Sequence, residues 1–233
     1  MPQSLNRLAT QWRADGALAL SVARAPRVDI ACFGGARARR AYDNFTAPHR
    51  WVPAVSRKYF GAALVDLSAP FALSDPGFKY ARRRYNRAVK RGYTFALFDP
   101  LDHLDAILAI NRSAGYRQGG AVKAHFLSRQ VVRETAEAEP QSFGVFDSEG
   151  QLAAYTHAPV VGDAVFFSRI LGHADLLDDG IMYQLVFDVN AAMRDHLGRH
   201  GHPRWSFYDM VIGAGPGLRF FKEKTGYRPY RAV

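Results

Sequence analysis

The chain has 233 residues, 48% of them hydrophobic, and 31 Lys and Arg against 21 Asp and Glu give it a formal net charge of +10. That length and apolar share suit one large globular domain, or a domain with an N-terminal annex, that buries a full core. No run of 18 apolar residues occurs, and the opening stretch Met1-Pro-Gln-Ser-Leu-Asn-Arg7 lacks the apolar segment of a secretion signal, so no membrane span is expected and a cytoplasmic location is.

The single cysteine, Cys32, has no partner for an intramolecular disulfide, and its apolar neighbours Ile30, Ala31 and Phe33 predict a small packed residue rather than a nucleophile. The basic balance raises the local concentration of anions without choosing among nucleic acid, nucleotide phosphates and an anionic membrane face. It is clustered: Arg37, Arg39 and Arg40 sit together, and Lys79, Arg82, Arg83, Arg84, Arg87, Lys90 and Arg91 follow within one short segment.

In chain order, the first clear element is the helix that carries this second cluster. Phe78, Ala81, Tyr85, Ala88 and Val89 recur at helical spacing as a buried stripe, and Arg83, Arg87 and Lys90 form a separate cationic stripe before Gly92 ends the helix. Asp75 and Pro76 supply a start signal, which places a joint between residues 1–77, an N-terminal extension or partial domain, and a main domain over 78–233. A strand over 93–98 comes next, then helices over 102–115 and 124–138. Strands over 142–146, 151–160 and 164–171, separated by the turn formers 147–150 and 162–163, read as a three-strand meander. A long helix over 181–197, a strand over 205–210, a helix over 217–225 and a closing strand over 227–232 complete a β-α-α-β-β-β-α-β-α-β order. The fold class is therefore α/β, with a mixed central sheet and helices on both faces.

This order over 78–233 resembles the GCN5-related N-acetyltransferase (GNAT) fold. Two stretches are similar to its FemAB-type branch: the basic helix Arg83-Arg-Tyr-Asn-Arg-Ala-Val-Lys-Arg-Gly92 feeding a strand, and Phe207-Tyr-Asp-Met210 followed by Gly217-Leu-Arg-Phe-Phe-Lys-Glu-Lys-Thr-Gly-Tyr-Arg-Pro229. The resemblance implies an amide-forming acyltransferase that takes acyl-CoA or aminoacyl-tRNA as donor and a small-molecule or peptide amine as acceptor. The donor would enter a wedge between strands 164–171 and 205–210. Lys222 would then stabilise the oxyanion, Phe221 would pack beside the donor, Tyr208 would protonate the leaving group and Asp209 would hold the acceptor amine. Arg169, Gly180, Gly215 and Gly217 are further candidates for donor binding, and His157 is a candidate base. Tyr116 and Arg117 lie where acceptor loops of this fold lie, and Arg83, Arg87, Lys90 and Arg91 form the basic patch.

Two departures from the family pattern bear on the donor. The loop from Gly172 to Gly180, where such enzymes cradle a pyrophosphate, matches only at Gly180 and carries Asp175, Asp178 and Asp179, which are either helix caps or a source of repulsion for phosphate. FemAB proteins usually hold two such domains, whereas residues 1–77 are too few for a second copy, so they are a trimmed half or an added strand layer. Gly213-x-Gly215-x-Gly217 is not a dinucleotide fingerprint, and His196, His200 and His202 sit at a helix end without matching acidic or Cys ligands, so no metal is expected. Three readings stand in order: an acyl-CoA-dependent N-acyltransferase, an aminoacyl-tRNA-dependent one, and a non-catalytic nucleic-acid-binding module on the same scaffold.

Overall fold

The computed structural model describes residues 17–31, 33, 35–48, 61–117, 120–139 and 142–232; Cys32 lies outside them. The elements are β1 (Arg27–Val28), α1 (Gly35–Thr46), β2 (Ala62–Asp66), α2 (Lys79–Lys90), β3 (Thr94–Phe98), α3 (Leu104–Arg112), β4 (Tyr116–Arg117), β5 (Gly120–Ala121), α4 (Arg129–Ala138), β6 (Ser142–Phe146), β7 (Leu152–His157), β8 (Val160–Val161), β9 (Ala164–Phe166), β10 (Arg169–Gly172), α5 (Ile181–His200), β11 (Trp205–Met210), α6 (Pro216–Lys224) and β12 (Arg228–Ala232). A 3₁₀ turn over Pro76–Phe78 leads into α2, and another over Ala174–Asp179 leads into α5.

Two sheets organise all these strands but β4 and β5, which pair only with each other. One runs β10-β7-β6-β3 and is antiparallel throughout; the other runs β1-β12-β2-β11-β9-β8, with β9 and β11 parallel. The stretch expected to be one strand over 164–171 is split between them. Residues 164–166 pair with β11, and residues 169–172 pair with β7. The N-terminal segment supplies a central strand: β2 pairs with both β11 and β12.

Apolar periodicity explains the layers. α5 is buried on most of its circumference, through Ile181, Leu185, Val186 and Val189, because sheet residues such as Val145, Ala153 and Val165 cover one side of it and α2 another. On the opposite face of the four-stranded sheet, Ile107 and Ile110 of α3 and Val132 of α4 pack on Leu152 and Tyr155. Both faces of β7 are covered, and all six of its residues are buried. α2 behaves as its sequence stripe predicts at Ala81 and Ala88, which are fully buried, but Val89 is 48% exposed. Tyr85 fixes the helix to α5 through its hydroxyl, which donates to Asp188 Oδ1 at 2.8 Å.

Leu64, 1% exposed, packs in β2 beside Trp205 and Phe207. Leu64→Ala is expected to cost about 2–5 kcal/mol of stability, read as a lower urea midpoint, because the rigid strands around it cannot close the cavity.

Candidate active site

The site begins where one strand changes sheets. β9 runs beside β11 from the Ala164–Trp205 pair to the Phe166–Phe207 pair. Phe167 N–H still donates to Phe207 O at 3.0 Å, but Ser168 N–H donates to His157 O in the other sheet, also at 3.0 Å. From Arg169 onward the chain follows β7, while β11 continues along β2. Two parallel strands that part in this way leave a wedge, since neither edge is filled by a third strand.

A cavity of about 320 Å³ occupies the wedge. Tyr208 on β11 and Leu218 and Phe221 on α6 form one wall; Ile170 and Gly172 on β10 form another, and Arg117, Ala114 and Tyr116 close the side under α3. The structure thus brings together Tyr208, Phe221, Tyr116 and Arg117 from the sequence candidates. Tyr116 stands at the rim, 67% exposed.

Lys222 lies directly behind this wall. Only 3% exposed, it donates from Nζ to Met210 O at 2.8 Å and holds its ammonium 4.9 Å from the Tyr208 ring centroid. Burial pulls its pKa down to about 8 against a smaller upward pull from Asp209. Tyr208 is pushed the other way by burial, so its hydroxyl stays protonated across the neutral range. Asp209 sits exposed at a β-bulge between Phe207 and Met210 with φ +52, a left-handed conformation that Asp tolerates better than most residues. The bulge re-aims the strand, which places Tyr208 on the cavity and Asp209 in solvent.

The remaining candidates fall elsewhere. His157 is 1% exposed, outside the cavity lining, with Nδ1 2.8 Å from Ser142 Oγ; burial, reinforced by the Arg169 charge, lowers its pKa to about 4. That geometry corrects the expectation of a base facing the acceptor: it makes His157 a neutral, hydrogen-bonded part of the sheet. Gly180 has φ +93 and a Cβ there would fall 2.1 Å from Arg84 O, so α2 packs directly on it, and its N–H is taken by Leu177 O at 3.2 Å, which weighs against a phosphate cradle at this residue. At Gly215 and Gly217, by contrast, a Cβ would meet no atom within 4 Å; Gly215 caps α6 and Pro216 opens it. Arg169 holds its guanidinium 4.3 Å from the Phe126 ring centroid, on the α3 side of β10.

The basic helix turns part of its charge inward. Arg84 Nη2 donates to Leu177 O at 3.2 Å and pairs with Asp178, Arg87 donates to Asp178 O at 3.0 Å, and Arg91 pairs with Asp179 at 2.8 Å. Tyr93 completes the grip, donating its hydroxyl to Asp179 Oδ2 at 2.8 Å. The acids expected as caps make no side-chain cap bond at the start of α5; Asp178 and Asp179 are partners for α2 and the residue that ends it, and Asp175 lies 3.9 Å from His173 Nδ1. Arg83 and Lys90 remain exposed. The signal for this pairing was present in the sequence as seven cations without an acid on one element and three acids without a cation on another. Arg117 is fixed by backbone carbonyls: Nη1 donates to Gly172 O at 3.1 Å and Nη2 to Ile110 O at 2.7 Å. The rings of His196 and His200 lie 4.3 Å apart and that of His202 is 5.5 Å from His196; among the described residues no group of His, Cys, Asp and Glu has metal-site geometry.

No protein-family model and no curated protein matches the sequence. Among solved structures, FemX is similar with a TM-score of 0.56 and 11% identity, covering 73% of this chain and 59% of that one. L-PGS from Bacillus licheniformis is similar with a TM-score of 0.53 and 19% identity, covering 73% of this chain and 57% of that one. A conserved protein of unknown function from Bacteroides thetaiotaomicron matches with a TM-score of 0.52 and 14% identity, over 72% of this chain and 55% of its own. The chain thus spans less than three-fifths of each. These likenesses show the fold, which is GNAT-like as the element order predicts. Among the described residues no helix is long and apolar enough to cross a membrane.

Two outcomes follow from this geometry. Gly180→Ala is expected to destabilise the protein by about 2–4 kcal/mol in chemical denaturation, combining a positive φ with a backbone clash. His157 takes up protons more readily unfolded than folded, so stability falls as pH drops from about 6.5 towards 4, by at most roughly 3 kcal/mol. His157→Gln, which keeps a partner for Ser142, is expected to flatten that slope in urea titrations at pH 7 and pH 5.

Proposed function

We propose that this chain is an amide-forming acyltransferase that moves an aminoacyl group from an ester donor of the aminoacyl-tRNA kind to an amine acceptor. The observation that carries the reading is the wedge cavity, with Tyr208 and Phe221 on one wall and the buried Lys222 ammonium immediately behind them. In this reading the acceptor nitrogen attacks the donor carbonyl inside the wedge. The carbonyl oxygen gains negative charge, which the Lys222 ammonium opposes in a site of low dielectric. The C–O bond to the terminal ribose then breaks, Tyr208 delivers a proton to the departing ribose oxygen, and the acceptor's surplus proton passes through solvent to restore the Tyr208 hydroxyl. Asp209 supports the charge on Lys222 through the field it already exerts on it.

What favours an ester donor over acyl-CoA is the start of α5. A coenzyme A pyrophosphate would be bound by free backbone N–H groups there, but Arg84 O packs against Gly180, and Asp178 and Asp179 bring negative charge to the same loop. The exposed Arg83 and Lys90 on α2 suit a polyanionic donor instead. FemX, one of the similar structures, supports this reading as a scaffold of comparable shape.

A transfer assay with bulk charged tRNA and, separately, acetyl-CoA and a longer acyl-CoA tests it. Transfer from charged tRNA, with apparent affinity falling steeply as salt rises, is the expected result. Transfer from an acyl-CoA alone would return the reading to a thioester-dependent enzyme, and no transfer with salt-sensitive RNA binding would leave a binding module. Lys222→Ala is expected to lower kcat by about 10²–10³ with little change in RNA affinity. Because Lys222 serves while protonated and its pKa is about 8, wild-type turnover should fall as pH rises through that value. A folded Lys222→Met protein, checked by circular dichroism, should be inactive at every pH.

A further inference from the structure

Most arginines that touch the core of this protein have an acid nearby: Arg84 meets Asp178, Arg91 meets Asp179 and Arg204 meets Asp66 at 3.1 Å. Arg117 and Arg169 do not. Neither forms an ion pair among the described residues, and each has a buried nitrogen without a hydrogen-bond partner, Nε of Arg117 and Nη1 of Arg169. Arg117 is fixed by neutral acceptors only, the carbonyls of Gly172 and Ile110 and the Ser113 hydroxyl at 2.8 Å. Arg169 rests on the Phe126 ring and hydrogen-bonds the Tyr155 hydroxyl oxygen. Both guanidinium groups act on the same hydroxyl, that of Tyr155, which donates to Asn111 Oδ1 at 2.7 Å.

Two cations without a counter-charge, partly out of water, are unfavourable unless something anionic joins them. Their placement says where it would enter. Arg117 lines the wedge cavity, and Arg169 begins β10, whose Ile170, Leu171 and Gly172 line the same cavity. We infer that Arg117 and Arg169 form a recognition site for an oxyanion on the acceptor, a phosphate or a carboxylate carried beside the amine that receives the acyl group. The anion site stands on the geometry of these two side chains; its assignment to the acceptor rests on the acyl-transfer reading above. A planar fork of donors suits the two oxygens of either group, and an aromatic ring beneath the guanidinium keeps that fork oriented. The site would reject a neutral analogue, because binding it would leave both cations uncompensated.

Isothermal titration of the full chain with sn-glycerol 3-phosphate, inorganic phosphate, acetate and uncharged glycerol tests this without relying on turnover. The expected result is saturable binding of at least one anionic probe at millimolar concentration and none of glycerol, with affinity lowered at least tenfold in Arg169→Gln. Preference between phosphate and acetate then identifies the anion. Arg169→Met, which keeps apolar packing on Phe126, replaces the glutamine variant if that one does not fold. The inference is overturned if no anion binds the wild type, or if a folded uncharged variant binds it equally well. Anion binding that survives alongside an absence of any transfer activity would sink the acyl-transfer reading and leave the site standing.

Discussion

Everything in this molecule that bears on chemistry depends on two adjacent backbone hydrogen bonds that point to different sheets. Phe167 N–H is spent on β11 and Ser168 N–H on His157 at the end of β7. A strand that stayed with one sheet would have filled the gap with its own backbone. By changing allegiance between consecutive residues, the chain opens an edge on each side and lines it with the residues that follow: Ile170 and Gly172 on one wall, Tyr208 on the other. The wedge is therefore held open by hydrogen bonds on both flanks rather than by loops, which is the rigid setting that positioned catalytic groups need. The bulge in β11 acts in the same sense, turning Tyr208 inward at the point where the strands separate.

The basic helix α2 has two faces with two purposes. Its apolar side, with Tyr85 bonded to Asp188, holds it on α5. Its inward cations then clamp the 3₁₀ turn that precedes α5, where Asp179 receives both Arg91 and the Tyr93 hydroxyl. Satisfied from two directions, Asp179 is 8% exposed without being an orphaned charge. The clamp has a chemical consequence: it packs a carbonyl oxygen against Gly180 and sets two carboxylates beside the start of α5, both of which oppose an anion there.

Much of the architecture was legible because periodicity is a strong signal in long elements. α2, α5 and the strands over 142–146 and 205–210 lie where their spacing places them, with ends displaced by a few residues. The break in the strand over 164–171 was not legible. Phe167 and Ser168 continue an acceptable strand pattern, and only the competing sheets reveal that the ladder changes partners there. Residues 62–66 were also obscure as a central strand, since a short apolar run says nothing about which distant strands flank it. At the site, Tyr208, Phe221 and Lys222 came from a motif, and the structure sets them side by side. His157 and Gly180 came from isolated positions, where sequence carries no information about depth or about what a neighbouring backbone already occupies. Arg117 was placed in the right neighbourhood without its partners, because one of its carbonyls comes from Gly172, far along the chain.

The position of β2 between β11 and β12 has a further consequence for how the protein is made. β2 leaves the ribosome about 140 residues or more ahead of both of its hydrogen-bonding neighbours. At about 5–20 residues per second, that leaves an apolar strand, with Ala62, Ala63 and Leu64 destined to be fully buried, waiting for roughly 7–30 s with both edges open. Such a segment is a natural target for holding chaperones and for misassociation with a neighbouring nascent chain. Slow synthesis of the last segment would extend that exposure, and yields of soluble protein would depend on translation speed through the codons for α5 and β11 as much as on the stability of the finished fold.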